Sequence, residues 1–360
     1  MKQIYKNFRY ILLTAFAVIG AGLLSLSVTS SAADVHKMEV HYIDVGQGDA
    51  TLITSGDHSM LIDAGDDTKG TAIQNYLQKR NIQKLDYLIL THPDADHIGG
   101  APVIITKFDI DTVFVSNYEK DNKTYQKLIQ ALDNKRLKGI TPEVGSQYAL
   151  GTAQITILAP NKTYDDPNNA SIALLIQNGN NKFLFTGDAE EKAESDILAN
   201  NLDISADVYH AGHHGSRTST SEDFFAAVKP SYAVISCGVG NSYGHPHAQT
   251  LNTFRANGVK VYRTDEQGSI IAVSDGKEIT WNCTPSETWL AGEATVSSST
   301  VGDVASSSDV TYICNKNTKK FHKPMCSSVK DMHEKNKWEV TLSREEVIAQ
   351  GYVPCKRCKP

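Results

Sequence analysis

The sequence predicts an α/β protein in which two β-sheets pack against each other between flanking helices, followed by a small second unit at the C-terminus. Two observations indicate the main fold: the chain opens with a run of strands, and strands alternate with helices after it. The third observation is a polar tract beginning near residue 284, which has little to bury and separates the two units. With 360 residues and 40% hydrophobic content, the chain can bury at least one large core.

Residues 1–33 have the pattern of an export signal. Three basic residues precede an apolar run over 10–26, and small residues at 31–33 suit a signal-peptidase site. We therefore expect a secreted, extracellular protein. The alternative is an uncleaved N-terminal anchor that holds the protein at the outer face of the membrane, because the apolar run is long for a signal core.

The strands and helices follow from local patterning. Strands are predicted at 38–45, 50–54 and 58–63, where β-favouring residues are separated by turns rich in glycine. Helical spacing of apolar residues predicts a helix within 66–80, and the apolar run 85–90 predicts another strand. Further helices are expected near 122–137, 189–200, 221–228 and 248–257, and further strands near 111–115, 154–158, 171–177, 182–187, 206–210, 231–236, 259–263 and 269–273.

The chain divides into four predicted segments that differ in charge. We predict a signal peptide at 1–33, a main domain at 34–283, a Ser-rich linker at 284–309 and a C-terminal domain at 310–360. The whole chain has a formal charge of −6, but residues 34–309 carry −15 and residues 310–360 carry +6. An acidic body argues against tight non-specific DNA binding, whereas the basic tail and metal ions could together hold a polyanion.

A cluster of metal-capable side chains follows the predicted strand at 85–90. His92, Asp94, Asp96 and His97 fall within six residues. Alternate residues of an extended segment point the same way, so the first three can converge, and a helix start turns His97 toward a neighbouring point. Two divalent ions could therefore lie side by side here. The alternative, a solvated turn, is disfavoured because matching ligands recur far downstream.

Two later strands also end in residues that can reach ions. Asp188 follows a predicted strand, where its carboxylate could bridge two ions; its alternative role is to cap the next helix. His213 and His214 lie between glycines, which let the backbone come close while one imidazole turns inward. The spacing does not decide which of the two ligates, and we favour His214. Asp63 is predicted to fix a ligand histidine by accepting its other N–H.

Taken in chain order, Asp63, the cluster from His92 to His97, Asp188 and the pair at 213–214 resemble the motifs of the metallo-β-lactamase fold superfamily. A closer resemblance, to the hydrolase domain of ComEC-type competence proteins, rests on the segments 41–50 (HYIDVGQGDA) and 243–247 (YGHPH) and on Asp94 where a histidine is usual. The resemblance covers about 36–275. It implies an αββα metallo-β-lactamase sandwich with a dinuclear metal site at the strand ends, and it implies phosphodiester hydrolysis.

The resemblance is incomplete around one metal position. The wider superfamily has a histidine between its second and fourth motifs, whereas this chain has asparagines there, and we place Asn169 beside the ligands as a supporting residue. Because Asp94 also replaces a histidine, the site gains oxygen donors. Such a site should accept Mn²⁺ or Mg²⁺ more readily than a nitrogen-rich zinc site would, so the two divalent ions could be Zn²⁺, Mn²⁺ or Mg²⁺.

The resemblance implies in-line attack of a metal-bound hydroxide on phosphorus, with Asp96 orienting that nucleophile. His245 and His247 flank a proline and can both face the cleft, where either could contact the phosphate or act as general acid; the alternative is a surface loop without a special role. Weaker candidates for phosphate contacts are Ser216, Arg217 and Asn241. Asp44 and Asp49 lie in a glycine-flanked loop, where they either support the ligands or form the turn.

The C-terminal unit carries its own ligand set. His322, Cys326, Cys355 and Cys358 form a His-x3-Cys and a Cys-x2-Cys pair, enough for one tetrahedral structural Zn²⁺. So small a unit builds little core, and the ion would supply folding free energy. The spacing and the PCKRCKP ending resemble the zinc-binding module of the Ada repair protein. That module has a methyl-accepting cysteine where His322 stands, so the histidine argues against methyl transfer.

Binding of nucleic acid is the remaining prediction for the C-terminal unit. The residues expected to contact the polyanion are Lys319, Lys320, Lys323, Lys356 and Arg357. One alternative is a purely structural unit with a solvated basic face. Another is that its thiols form disulfides after export.

The sequence therefore predicts a secreted, metal-dependent phosphodiesterase, a nuclease acting on extracellular DNA or RNA with the tail as an accessory binding module. One alternative keeps the fold but changes the substrate to a smaller ester, such as a choline phosphate, a lactone or a β-lactam. The other is a non-catalytic protein that binds polyanions. The nearly complete ligand pattern disfavours this inert alternative.

Overall fold

The computed structural model describes residues 37–292, 310–330, 332–342, 347 and 352–358. The predicted signal peptide at 1–33 and the linker residues 293–309 lie outside the described residues. The chain divides into two compact units, Met1–Thr295 and Val296–Pro360. Among the described residues, no helix is both long and apolar enough to cross a bilayer.

The described part of the first unit opens with strands and continues with alternating strands and helices. In chain order its strands are β1 Met38–Tyr42, β2 Thr51–Ser55, β3 His58–Ile62, β4 Lys84–Leu90, β5 Asp109–Val115, β6 Gly139–Ile140, β7 Gln147–Leu150, β8 Ala153–Ala159, β9 Ala173–Asn178, β10 Asn181–Phe185, β11 Val208–His210, β12 Tyr232–Ile235, β13 Lys260–Arg263, β14 Ile270–Ser274 and β15 Ile279–Trp281. Its helices are α1 Gly70–Gln78, α2 Ala95–Ile98, α3 Ala101–Lys107, α4 Lys123–Lys135, α5 Glu191–Ala199, α6 Glu222–Val228, α7 Ala248–Ala256 and α8 Thr264–Gln267, with a 3-10 turn at Gly212–Gly215.

Helix α4 illustrates how local sequence sets these bounds. The Asn122 side chain accepts a hydrogen bond from the Tyr125 amide at 2.8 Å and so caps the first turn. Leu128 and Leu132, four residues apart, lie on one face and are buried against the sheet. Arg136 takes a left-handed conformation (φ 57°) directly after the last turn, which ends the helix.

The two sheets of the first unit pack face to face between two layers of helices. Over the described residues their strand orders are β15-β14-β1-β2-β3-β4-β5-β6 and β13-β12-β11-β10-β9-β8-β7. Apolar side chains from both inner faces, among them Tyr42 and Phe183, form the core between the sheets. The outer face of the first sheet packs against α1, α3 and α4, and that of the second against α5, α6 and α7. The predicted αββα layering is confirmed.

Some elements were not anticipated from the sequence. Strands β6, β7 and β15 are short and partly exposed, so they lack the apolar runs by which a strand is recognised. Helix α3 follows the ligand loop after Gly100 and packs against α1. The carboxyl ends of β3, β4, β10 and β11 carry the loops that hold the candidate ligands, because β3 runs parallel to β4 and β10 parallel to β11.

The predicted linker begins too early. Residues 284–292 belong to the first unit and are hydrogen-bonded within it: the Ser286 amide donates to the Val261 carbonyl at 2.7 Å. The hydroxyls of Ser286 and Thr288 donate to the Glu266 carboxylate at 2.6 and 2.5 Å. The polar side chains that predicted a solvated linker instead make these hydrogen bonds.

The second unit is small. Its described strands are β16 Val310–Asn315, β17 Lys320–His322, β18 Lys337–Leu342 and β19 Val353–Pro354, in the sheet order β18-β16-β17-β19, with helix α9 at Ser327–Lys330. A single cluster of apolar side chains forms its core over the described residues: Tyr312, Cys314, Phe321, Val347 and Tyr352. So limited a core contributes little stability by itself.

Candidate metal centres

A buried hydrogen-bond network at the ends of β3 and β4 orients His97. The Asp63 carboxylate accepts from His97 Nδ1 at 2.8 Å, and from the Thr91 amide and hydroxyl at 2.8 and 2.7 Å. With Nδ1 donating to Asp63, the lone pair of a neutral His97 ring lies on Nε2. That atom lies 3.3 Å from a carboxylate oxygen of Asp188. The contact with Asp63 is the kind that orients a metal-ligating histidine.

Asp188 lies at the centre of the cluster, directly beyond β10. Its carboxylate is 3.3 Å from His97 Nε2 and 3.7 Å from Nε2 of both His92 and His214. His213 Nε2 lies 3.6 Å away. One carboxylate that faces four imidazoles and is only 4% exposed is suited to bridge two divalent ions.

His214 and Asp96 come together on the other side of the cluster. His214 Nε2 lies 3.3 Å from Asp96 Oδ2, and the Ser236 carbonyl lies 3.0 Å from His214 Nδ1 and fixes the ring. Both His213 and His214 have left-handed backbones, with φ of 51° and 55°. Two consecutive non-glycine residues in this region carry strain of the kind found at functional sites. Both rings reach Asp188, but only His214 is fully buried.

A carboxylate from near the chain start also enters the cluster. Asp49 Oδ1 lies 3.4 Å from His214 Nδ1 and 3.7 Å from His210 Nε2. The Asp49 amide donates to the Asp96 carbonyl at 3.1 Å, and a Cβ on Gly48 would lie 2.4 Å from the same oxygen, so this approach requires glycine. Asp49, expected as a supporting or turn residue, therefore lies among the candidate ligands themselves.

The cluster fits divalent cations. Within the described part of the chain, five buried atoms in it have no hydrogen-bond partner: Asp49 Oδ1, His92 Nε2, His97 Nε2, Asp188 Oδ1 and His214 Nε2. Ligand atoms of Asp49, His97, Asp188 and His214 all lie within 4.8 Å of one another. Buried polar atoms normally have partners, and a cation can satisfy several carboxylate oxygens and imidazole nitrogens at once.

The charges in the cluster balance only in part. Burial raises the pKa of Asp188, but the facing His97 and His214 outweigh burial and lower it well below its usual value. Burial lowers the pKa values of His97 and His214, but Asp188 and other carboxylates outweigh it and raise both. Neighbouring imidazoles likewise lower the pKa values of Asp49 and Asp96 against the effect of burial. Together with Asp63, which contacts His97, the carboxylates outnumber the imidazoles with a raised pKa, so a cation can replace the protons in this cluster.

Three predicted residues lie outside this cluster. The Asp94 carboxylate accepts a hydrogen bond from Lys120 Nζ at 2.6 Å, in a half-exposed pair at its edge. Asn169 caps α5, since its side-chain oxygen accepts two amide N–H groups of the first turn at 3.3 and 2.9 Å. This removes the need for Asp188 to cap that helix. Asp44 is exposed and accepts the amide of Gly46 two residues on, as a turn former does.

A second histidine loop lies against the cluster. The buried His245 ring has centroid distances of 5.2 Å to His213 and 5.9 Å to His214. Burial and these imidazoles lower the pKa of His245 to about 3, and burial also lowers the pKa of His247, whose Nδ1 accepts the Arg217 amide at 2.9 Å. Both rings are thus neutral at pH 7. They can donate an N–H to a phosphate oxygen, but they are poorly suited to the predicted role of general acid.

Asn241 and Ser216 have partners within the protein. The Asn241 side chain makes four hydrogen bonds to the backbone of its own loop, between residues 238 and 245. Its amide has no further donor for a phosphate, so the predicted contact is replaced by a structural role. Ser216 is buried, with its hydroxyl 3.0 Å from that of Thr218, whereas Arg217 is exposed.

The second unit holds a separate ligand cluster. Ligand atoms of His322, Cys326, Cys355 and Cys358 all lie within 4.8 Å of one another. His322 ends β17, Cys326 follows it, and Cys355 and Cys358 follow β19. All three cysteines are free thiols, and His322 Nδ1 is a buried atom without a hydrogen-bond partner among the described residues. Three thiols and one imidazole fit a tetrahedral zinc ion. The five cations predicted to contact a polyanion, Lys319, Lys320, Lys323, Lys356 and Arg357, are all exposed.

Comparison with known families agrees with this geometry. Residues 43–239 match the model of the metallo-beta-lactamase superfamily. The chain belongs to this superfamily. Residues 303–360 match the metal binding domain of Ada. The hydrolase fold therefore carries a site capable of holding two metal ions, and the C-terminal unit is an Ada-like module with one Cys3His cluster.

Curated relatives of this superfamily member include one named Competence protein ComA, from Neisseria gonorrhoeae. The chain is 30% identical to ComE operon protein 3 of Bacillus subtilis over 253 residues, which are 64% of this chain and 32% of that protein. It is 32% identical to Recombination protein 2 of Haemophilus influenzae over 238 residues, 64% of this chain and 28% of that protein. The matches thus span about a third of the relatives' length. Among solved structures, the metallo-beta-lactamase fold protein YhfI of Bacillus subtilis has a TM-score of 0.45 and 17% identity, over 66% of this chain and 100% of YhfI.

Proposed function

We propose that this metallo-hydrolase is a secreted phosphodiesterase that cleaves DNA or RNA outside the cell. The observation that carries the proposal is the buried cluster around Asp188, in which carboxylates and imidazoles face one another with unpartnered ligand atoms. Relatives named Recombination protein 2 and Competence protein ComA support a nucleic acid as the substrate class. The sequence pattern of residues 1–33 supports export.

The donor set supports hard divalent ions in this cluster. The residues that would hold them are His92, Asp96, His97, Asp188 and His214, with Asp49 beside them. Carboxylate oxygens make up about half of these donors, which favours Mn²⁺ or Mg²⁺ over a strictly zinc-selective site. Asp94 remains a proposed ligand that would have to leave Lys120.

Bound ions would supply Lewis acidity toward a phosphoryl oxygen and a nucleophile at neutral pH. The protein's own residues would do the rest. Asp96 is partly exposed at the cluster edge, where its carboxylate can accept a hydrogen bond from an attacking water and so orient that water. His245, neutral at pH 7, would donate an N–H to a non-bridging phosphate oxygen.

The C-terminal module would add affinity for the polymer. Its zinc cluster would hold the fold, and its exposed lysines and Arg357 would contact backbone phosphates without reading sequence. Because the rest of the chain carries −15 between residues 34 and 309, this basic module offsets repulsion of nucleic acid by the hydrolase unit.

A cleavage assay tests this proposal. The mature chain is incubated with Mn²⁺, Mg²⁺ or Zn²⁺ and with plasmid, single-stranded DNA or RNA, beside an Asp188→Asn control. We expect cleavage with at least one ion, and a rate lower on the order of 1,000-fold in the control. The absence of cleavage with every ion, together with turnover of a chromogenic lactone or β-lactam, would replace the nuclease assignment with hydrolysis of a smaller ester.

A further inference from the structure

The loop of residues 238–245 presents an aromatic ring next to the metal cluster. Tyr243 is 64% exposed, and in the same loop Val239 is 83% exposed. An aromatic ring exposed beside a polar cluster offers a flat apolar surface to a ligand. The chemistry assigned to the cluster does not use either residue.

Asn241 holds this loop in one conformation. Its side-chain oxygen accepts the amides of Tyr243 and His245 at 3.2 and 3.0 Å, and its nitrogen donates to the carbonyls of Gly238 and His245 at 2.9 and 2.6 Å. Four hydrogen bonds from one side chain fix the loop from 238 to 245. The Tyr243 ring is therefore presented by a preorganised backbone, which reduces the entropy lost when a ligand binds to it.

The Tyr243 ring rests on a histidine that faces the ligands. Tyr243 stacks on His245 with a centroid distance of 5.7 Å and an interplanar angle of 20°. His245 in turn lies 5.2 Å from His213 and 5.9 Å from His214, both of which contact Asp188. One face of Tyr243 is covered by His245, so the exposed part of the ring includes the opposite face. The His245 ring therefore separates the Tyr243 ring from His213 and His214.

We propose that Tyr243, backed by His245, is a stacking subsite for an unpaired nucleobase next to the scissile phosphate. This proposal rests on the proposed nuclease function and adds a preference within it. A flat, exposed ring binds the π-face of any base, so the subsite tolerates different sequences. Bases inside a duplex have both faces covered, so it favours single strands, loops and frayed ends.

The test compares bases with abasic positions. Cleavage of a single-stranded oligonucleotide is measured beside oligonucleotides that carry one abasic residue at successive positions around the cut. Tyr243→Ala is expected to raise KM for the intact strand about 5- to 150-fold, the range for removing one base–aromatic stack. kcat should change little, and Tyr243→Phe should behave like the wild type because it keeps the ring.

The decisive result is loss of the difference between substrates. The wild type should discriminate against one abasic position, and Tyr243→Ala should cleave that substrate and the intact strand with similar KM. If Tyr243→Ala weakens both substrates equally, or leaves both unchanged, the stacking subsite is refuted while the nuclease assignment stands.

Binding measurements separate this proposal from the nuclease assignment. A fluorescent trinucleotide, too short to span far beyond the site, is titrated into full-length Asp188→Asn and into Asp188→Asn with Tyr243→Ala. We expect weaker binding in the second variant, and equal binding of the corresponding abasic trinucleotide by both. If wild type cleaves no polymer but this pattern appears, the subsite stands without the nuclease; if neither variant distinguishes the two ligands, the subsite fails.

Discussion

The two ligand clusters of this protein depend on their surroundings in opposite ways. In the hydrolase unit, the ligands lie between residues 49 and 214, and strand ends of two sheets with extensive cores hold them in place. In the C-terminal unit, four ligands surround a point beside a four-stranded sheet with one small core, as far as the structure describes it. We infer that the fold positions the ions in the first unit, whereas the ion maintains the fold in the second.

The donor atoms of the two clusters differ in a way that fits these two roles. The hydrolase cluster offers carboxylate oxygens and imidazole nitrogens, which suit ions that exchange and activate a substrate. The C-terminal cluster offers three thiols and one imidazole, a closed set that leaves no position for a substrate. Removal of a ligand should therefore abolish chemistry in the first unit and folding in the second.

The largest expected effect is on the C-terminal fold. Cys326→Ser should unfold the described strands β16–β18, because structural zinc contributes about 10–16 kcal/mol in comparable peptides and the core here is small. Hydrogen exchange measures this, with Cys283→Ser as a thiol control outside the cluster. Protected amides in β16–β18 of Cys326→Ser would show that the module folds without its ion.

The second effect separates activity from stability in the hydrolase unit. Asp188→Asn should reduce hydrolysis on the order of 1,000-fold, because the ions supply several kcal/mol of transition-state stabilisation. Its unfolding midpoint in chelator should change by only a few degrees, since the three largest hydrophobic cores of this unit remain intact. Asp203→Asn, whose carboxylate accepts from Lys182 Nζ near the amino end of β10, is the matched control. Global unfolding of Asp188→Asn would contradict the inference that the hydrolase unit folds without its ions.

A third change probes how the fold orients a ligand. Asp63→Asn should weaken metal binding about 10- to 100-fold, because the amide cannot hold His97 as the carboxylate does. Asparagine tolerates the left-handed backbone at this position (φ 57°), so the loop should keep its conformation. Calorimetric titration with Mn²⁺ measures the change, and the exposed Asp67→Asn serves as control. Unchanged affinity would mean that sheet packing alone orients His97.

The smallest effect concerns the pair at the cluster edge. Lys120→Ala should raise the affinity of the more weakly bound hydrolase ion by a factor of about 1.4 to 5, because a partly exposed ion pair with Asp94 is worth only about 0.2–1 kcal/mol. The same titration measures it, with Lys123→Ala as a neighbouring control. No change, or weaker binding, would indicate that Asp94 does not serve as a ligand.

The sequence predicted what depends on local patterning. The strand before the first ligand loop, the following His-x-Asp-x-Asp-His run and the Gly-Asp pair after β10 all have periodic neighbours that place them at strand ends. Asp188 follows β10 of one sheet and the first ligand loop follows β4 of the other, and their convergence was expected from the resemblance to the metallo-β-lactamase superfamily. The contact from Asp63 to His97 was anticipated by the need of a ligand histidine for an orienting partner.

What the sequence did not predict depends on distant contacts. Asp49 looks like one more turn residue between glycines, and only the packing of Gly48 on the Asp96 loop brings its carboxylate inward. The pairing of Asp94 with Lys120 joins two loops whose approach no local pattern encodes. Asn241 has the composition of a phosphate contact, but its four bonds to its own loop exist only in the folded chain.

The most direct test of this account is the metal content of the purified chain and two variants, measured by elemental mass spectrometry. We predict two divalent ions and one zinc per chain in the wild type, the single zinc alone in Asp188→Asn, and the two hydrolase ions alone in Cys326→Ser. Retention of all three ions by Asp188→Asn would contradict the claim that this carboxylate is the centre of the hydrolase metal site.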